Sequence, residues 1–131
     1  MKKVEVVAGI IFCEDLILCV QRPDGKLPYI SQKWEFPGGK TETGETQENA
    51  LRRELLEELN LTVDIKSYFN TVTHQYPDFE ITMHTFLCEV ENQEIVLNEH
   101  IDKKWLSIKE LNTLDWAAAD IPIVEKLISN G

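Results

Sequence analysis

The chain has 131 residues, 43% hydrophobic and 27% charged, with a formal net charge of -10. That is the size of one domain, residues 1–131, with enough chain to bury a core. The acidic balance excludes a nucleic-acid polymer as partner, because such a polymer wants a basic face; it leaves room for a small phosphate substrate, since bound metal ions reverse the local sign of a site.

The first element is a strand. "VEVVAGIIF" is β-branched and apolar, which predicts a largely buried strand. Glu5 breaks the run early and Glu14 and Asp15 end it, with no small-residue cleavage site after it, so it does not read as a signal peptide. No apolar run is long enough to span a bilayer. Cys13, Cys19 and Cys88 form no C-x-x-C pair, which reads as reduced, buried thiols of a cytoplasmic protein. Glu14-Asp15 makes a turn into a second strand, "LILCVQR", as a hairpin. "PDGKLPYISQKW" is a loop by its Pro, Gly and Ser content. "WEFPGGKTETGE" reads as a short strand running into a Gly-rich loop.

Residues 47 to 59 are predicted to be a helix, with Thr46 as N-cap and Leu51, Leu55 and Leu59 as the core stripe. "TVDIKSYFNTVTHQY" follows as a bent strand, "PDFE" as a turn, "ITMHTFLCEV" as a strand and "KWLS" as a short strand. The S-x-x-E box at Ser107 starts a short helix near 108–112. A last helix covers about Asp120 to Ser129. This order predicts an α/β fold with a mixed sheet and helices on both faces.

The helix poses a physical question. In "RRELLEELNL", Glu54, Glu57 and Glu58 stand at i, i+3 and i+4 and share one helix face. Like charges four apart repel. A solvated acidic face is the plain alternative. Against it, the carboxylates flank the Leu stripe and lie near the protein body, with "PGG" upstream to bring a backbone carbonyl close. Hard oxygen donors gathered in this way suit Mg²⁺ or Mn²⁺.

Residues 39 to 61, "GKTETGETQENALRRELLEELNL", resemble the Nudix box, G-x5-E-x7-R-E-U-x-E-E-x-G-U with U apolar. Gly39, Glu45, Arg53-Glu54, Leu55, Glu57-Glu58 and Leu61 meet it. Asn60 stands where the family usually has Gly; it ends the helix, and Asn is the next best residue for a left-handed conformation. The whole chain is similar to the MutT-like group of Nudix hydrolases, from "MKKVEVVAGII" through "KWEFPGGK" and "YPDFEIT" to "AAADIPIVEKL".

The resemblance implies an α/β/α sandwich and Mg²⁺-dependent hydrolysis of a nucleoside triphosphate to a monophosphate and pyrophosphate. It implies metal ligation by Glu54, Glu57, Glu58 and the Gly38 carbonyl, with Glu99 as a further catalytic or metal-binding glutamate. Glu45 and Arg53 would brace loop and helix through a salt bridge. The residues suit this chemistry: cations offset phosphate charge, and a carboxylate, Glu54 or Glu99, takes the proton of the attacking water. Arg22 is expected at a phosphate or substrate oxygen edge, against the alternative of a surface arginine at a strand end. The resemblance places the base among Val4, Val6, Phe36, Tyr76, Ile81 and Asp120. Tyr76 would stack on it. Asp120, read as an ionised acceptor, would prefer the exocyclic amine of cytosine, and "AADIP" is similar to a segment of bacterial CTP pyrophosphohydrolases; its other reading is the N-cap of the last helix. An enzyme for oxidised guanine nucleotides, one for another nucleoside diphosphate derivative, and a non-catalytic Nudix binding module are the alternatives. His74, His84 and His100 are scattered and suggest no zinc site. Monomer and homodimer are both compatible with the chain.

Overall fold

A computed structural model describes residues 2–130. The long first strand, β1 (Lys2–Cys13), organises a seven-stranded mixed sheet. A tight turn, with Glu14 in the left-handed region at φ 55, returns the chain as the antiparallel β2 (Leu16–Gln21). The strand order is β3-β2-β1-β6-β5, with β3 at Trp34–Glu35, β5 at Asp64–Gln75 and β6 at Phe79–Glu89. β6 runs parallel to β1 from Lys2↔Phe79 to Phe12↔Glu89. The bend expected in β5 is a pair of register shifts against β6, between Ile65/Ser67 and Tyr68/Asn70. Buried Thr85 serves the second: it accepts from the Asn70 N–H at 3.1 Å and donates to its carbonyl at 2.9 Å.

One expectation changes here. "PGG" is not a free loop: Gly38–Lys40 forms strand β4, paired antiparallel with Val6–Ala8 of β1. The pairing is close, and a Cβ on Gly38 would lie 1.9 Å from the Val7 carbonyl oxygen. Glycine content reads as flexibility, but here the missing side chain permits contact.

Alternation along β1 and β2 divides the core between the two faces of the sheet. Val7, Ile11, Leu18 and Val20 face helix α1 (Gln47–Leu59), whose Leu51, Leu55 and Leu59 are fully buried. Ala8, Ile10, Ile17 and Cys19 face the other side, where α2 (Ile121–Asn130) packs Ile123, Val124 and Leu127. The result is an α/β sandwich with helices on both faces of a mixed sheet. Thr46 caps α1 by accepting from the Asn49 N–H at 3.1 Å, and Asn60 closes it at φ 51, ψ 37.

The short helix expected after Ser107 is a 3₁₀ helix (Ile108–Thr113). One helix expectation is corrected. Asp120 does not cap α2; it ends a 3₁₀ turn (Ala118–Asp120), and its carboxylate accepts from the Phe36 N–H, just after β3. β7 (Asp102–Leu106) pairs with β2 along its length and begins two residues earlier than expected. No helix of the described residues is long and apolar enough to cross a membrane.

The stripe of α1 should dominate stability. Leu55→Ala is expected to lower unfolding free energy by about 2–5 kcal/mol, the usual cost of a buried Leu→Ala cavity. Leu56→Ala, at a position 57% exposed, should change it by under about 1 kcal/mol. Urea unfolding of both variants checks the contrast.

Candidate active site

The side of α1 that flanks the leucine stripe carries the acidic residues. Glu58 is buried, and its Oε1 has no hydrogen-bond partner. Desolvation, then a hydrogen bond shared with Glu54 and the nearby charges of Glu99, Glu54 and Glu35, holds its carboxyl well above the ordinary carboxylate range. Glu54 is largely covered, and a Cβ on Gly39 would lie 2.4 Å from its carboxyl carbon. Gly39 thus keeps clear the space that Glu54 enters. Glu57 stands apart on the exposed side, 3.5 Å from Arg53 Nη1.

Arg53 is the hub of the brace. Its Nε donates to Glu45 Oε2 at 2.7 Å and its Nη2 to Glu45 Oε1 at 2.9 Å, a two-point pair between the helix and the loop before it. Nη2 also donates to the Lys40 carbonyl at 3.0 Å, and Nη1 to Glu54 Oε1 at 2.9 Å. Hydrogen bonding to Glu45 raises the Arg53 pKa and lowers that of Glu45. The acidic face is therefore not without a cation: Arg53 lies next to Glu54 in sequence and offsets part of its charge.

Glu99 arrives from the far side. Asn98 fastens the segment to the end of α1, its N–H donating to the Glu58 carbonyl at 3.0 Å and its Nδ2 to the Glu57 carbonyl at 2.9 Å. Glu99 itself is exposed, and among the described residues it takes part in no ion pair. Among the described residues, no three His, Cys, Asp or Glu side chains already converge on one point. The chemistry of the set still fits a divalent cation: the acids are all hard oxygen donors, and a buried carboxylate oxygen lacks a partner.

A cavity of about 460 Å³ opens beside β4. Val4, Val6 and Ile81 supply apolar wall from β1 and β6, and Phe36 from the segment after β3. Arg22, Tyr76 and Asp120 line it as well. The structure thus brings together every residue that the resemblance assigned to the base, and Gly38 lines the same cavity. Phe36 is held from behind by Trp116, with ring centroids 4.7 Å apart.

Two of these residues are anchored by contacts within the fold. Tyr76 is buried; its ring stacks on Tyr29 with centroids 5.2 Å apart, and its hydroxyl accepts from the Ala119 N–H at 3.0 Å. It is a fixed wall. Asp120 is buried and accepts from the Phe36 N–H at 3.0 Å. Burial, then the charge of Glu35, raises its pKa well above the ordinary aspartate value. The shift disfavours the ionised form read from the sequence.

Sequence reasoning passed over Glu35 and His100. Arg22 Nη1 donates to Glu35 Oε1 at 3.3 Å, and His100 Nε2 meets Glu35 Oε2 at 2.9 Å. Nothing local marks this pair, which is 65 residues apart in the chain. The loop over 23–33 was also missed as part of the pocket. Leu27 and Ile30 line it, and the Tyr29 hydroxyl donates to Asp78 at 2.5 Å across the opening.

Known proteins are similar to this chain in sequence and fold. Residues 3–127 match the NUDIX domain family. The chain is 36% identical over 127 residues to the 8-oxo-dGTP diphosphatase of Escherichia coli K12, covering 97% of this chain and 98% of that protein. It is 34% identical over 129 residues to the CTP pyrophosphohydrolase of the same bacterium, covering 98% and 94%. The solved structure of MutT from methicillin-resistant Staphylococcus aureus 252 is 39% identical, with a TM-score of 0.75 and 100% of both chains covered. An acidic helix braced through Arg53, with a family match and relatives that span nearly all of the chain, places this protein in the Nudix hydrolase family.

Proposed function

We propose that this Nudix hydrolase is a single-domain, cytoplasmic nucleoside triphosphate pyrophosphohydrolase that uses Mg²⁺, with Mn²⁺ as a substitute. The observation that carries the reading is the adjacency of an apolar pocket, sized for part of a nucleotide, to the carboxylates of α1. The three cysteines are free thiols, all buried, which suits a reducing compartment.

Water adds to one phosphorus of the triphosphate, a bridging P–O bond breaks, and nucleoside monophosphate and pyrophosphate leave. Glu54, Glu57, Glu58, Glu99 and the Gly38 carbonyl would hold the cation, which supplies charge neutralisation and a more acidic bound water. Glu99 is the favoured base. The oxygens of Glu54 are engaged by Arg53 and Glu58, whereas Glu99 has no ion pair among the described residues. Arg53 and Glu45 keep the loop and helix in register. Arg22 is directed into the pocket region from the end of β2, with Glu35 limiting its swing.

Asp120 selects the base. Its Oδ1 accepts from the Phe36 N–H, and its other oxygen is left to the substrate. A cytosine amine would donate to that oxygen and favour the ionised form that burial disfavours. The second reading is 8-oxo-dGTP, favoured by the burial that raises the Asp120 pKa: a carboxyl that takes up a proton both donates and accepts.

Glu57→Gln should lower pyrophosphate release by at least about 10-fold, since loss of one charged cation ligand weakens binding in which ligand charge matters; unchanged turnover would overturn the metal assignment. Release is measured on CTP, dCTP, 5-methyl-dCTP, dGTP and 8-oxo-dGTP with wild type and Asp120→Asn. Cytosine nucleotides are expected to lead, with Asp120→Asn costing them selectively about 1–3 kcal/mol of discrimination. A wide lead for 8-oxo-dGTP over dGTP assigns the second reading.

A pH test follows from the same carboxyl. Its raised pKa means that burying Asp120 is tolerated best at low pH and destabilises the ligand-free fold as pH rises above roughly 4, where the unfolded chain ionises. Asp120→Asn should remove that loss. Melting temperatures between pH 4 and 8 should fall less steeply in the variant than in wild type.

A further inference from the structure

The chemistry above makes no use of His100. Its side chain is only 4% exposed, and its Nε2 lies 2.9 Å from Glu35 Oε2 and 4.0 Å from Glu58 Oε1. These carboxylates belong to different parts of the molecule. Glu35 lines the apolar pocket and takes Arg22 on its other oxygen. Glu58 sits on the acidic helix, with Oε1 buried and unpartnered. The backbone on either side of His100 is fastened, Asn98 N–H to the Glu58 carbonyl and Ile101 N–H to the Gln21 carbonyl, both at 3.0 Å. The imidazole is thus fixed where the end of β2, β3 and the last turn of α1 meet.

Opposite a carboxylate, Nε2 is the donor, which leaves Nδ1 as the second polar atom of the ring. Nδ1 is buried without a partner. An apolar side chain of similar size would avoid the cost of that atom, so packing alone does not account for a histidine here. What the ring provides is one N–H, given to Glu35, on a nitrogen that also lies 4.0 Å from Glu58 Oε1, a polar contact longer than a hydrogen bond.

We propose that His100 is a positioning residue that ties the base pocket to the acidic helix: it donates through Nε2 to Glu35, is held by that bond with its polar edge 4.0 Å from Glu58 Oε1, and so sets the surroundings in which the Glu58 carboxylate meets a divalent cation. The inference rests on the reading of Glu58 as a cation ligand. Residues behind metal ligands commonly change affinity by about 10- to 100-fold when removed.

The test is Mn²⁺ binding to nucleotide-free protein, read by electron paramagnetic resonance of free Mn²⁺, in wild type, His100→Leu and His100→Gln. Leucine keeps the bulk and removes the donor; glutamine keeps an N–H near the Nε2 position. His100→Leu should bind Mn²⁺ about 10-fold or more weakly, and His100→Gln should return to within about threefold of wild type. Wild-type affinity in His100→Leu overturns the proposal, and so does a His100→Gln as weak as His100→Leu. If circular dichroism shows His100→Leu unfolded, His100→Asn, too short to reach Glu35, takes its place with the same expectations. Hydrolysis is scored separately. Wild type that binds Mn²⁺ but cleaves no nucleoside triphosphate overturns the proposed function and leaves the His100 result to be judged on affinity alone.

Discussion

Much of this site depends on one buried carboxyl group. Glu58 lies in the last turn of α1 beside Leu55 and Leu59, with one carboxylate oxygen out of water and unpartnered. Leaving such a group in a core is costly unless it is paired, neutralised or bound to a cation. The surrounding structure supplies other carboxylates, Glu54 and Glu99, rather than a lysine or arginine at this oxygen. Neighbours of like sign raise the cost of the ligand-free state and increase what a divalent cation gains there. Arg53 reaches Glu54 and Glu57 but is held by Glu45, so it trims the charge of the face without cancelling it.

The fold serves this arrangement by close approach. β4 lies against β1 with no side chain at Gly38 or Gly39, which lets the sheet edge and α1 share the space occupied by the Glu54 carboxylate. The segment before β7 is fastened to the end of the same helix through Asn98, whose Nδ2 also donates to Asn60 at 3.1 Å. Asn60 thus has two roles: it ends the helix in the left-handed region and receives the strap that carries Glu99 and His100.

The pocket has the opposite character. Its wall is largely apolar, and among the ionisable groups that line it are Arg22, Glu35 and Asp120. Low polarity makes each of them count for more. Asp120 shows this most clearly, since its carboxyl is pushed toward the neutral form and held in orientation by the Phe36 N–H.

Local periodicity was legible in the sequence. The limits of α1, the Thr46 cap, the Leu51-Leu55-Leu59 stripe, the Asn60 terminus and the acidic trio all follow from spacings of three and four residues and from intrinsic backbone preference. The bend in β5 and the strand pattern of β1 were legible for the same reason. Only the tertiary structure decided that Gly38–Lys40 is a strand, that Asp120 turns to Phe36 rather than capping α2, and that His100 pairs with Glu35. Each of these depends on a contact between residues far apart in the chain, 84 positions for Asp120 and Phe36. No periodic pattern encodes such a contact. A glycine reads as a turn and an aspartate before a proline-containing helix reads as a cap until packing brings the stronger partner within reach.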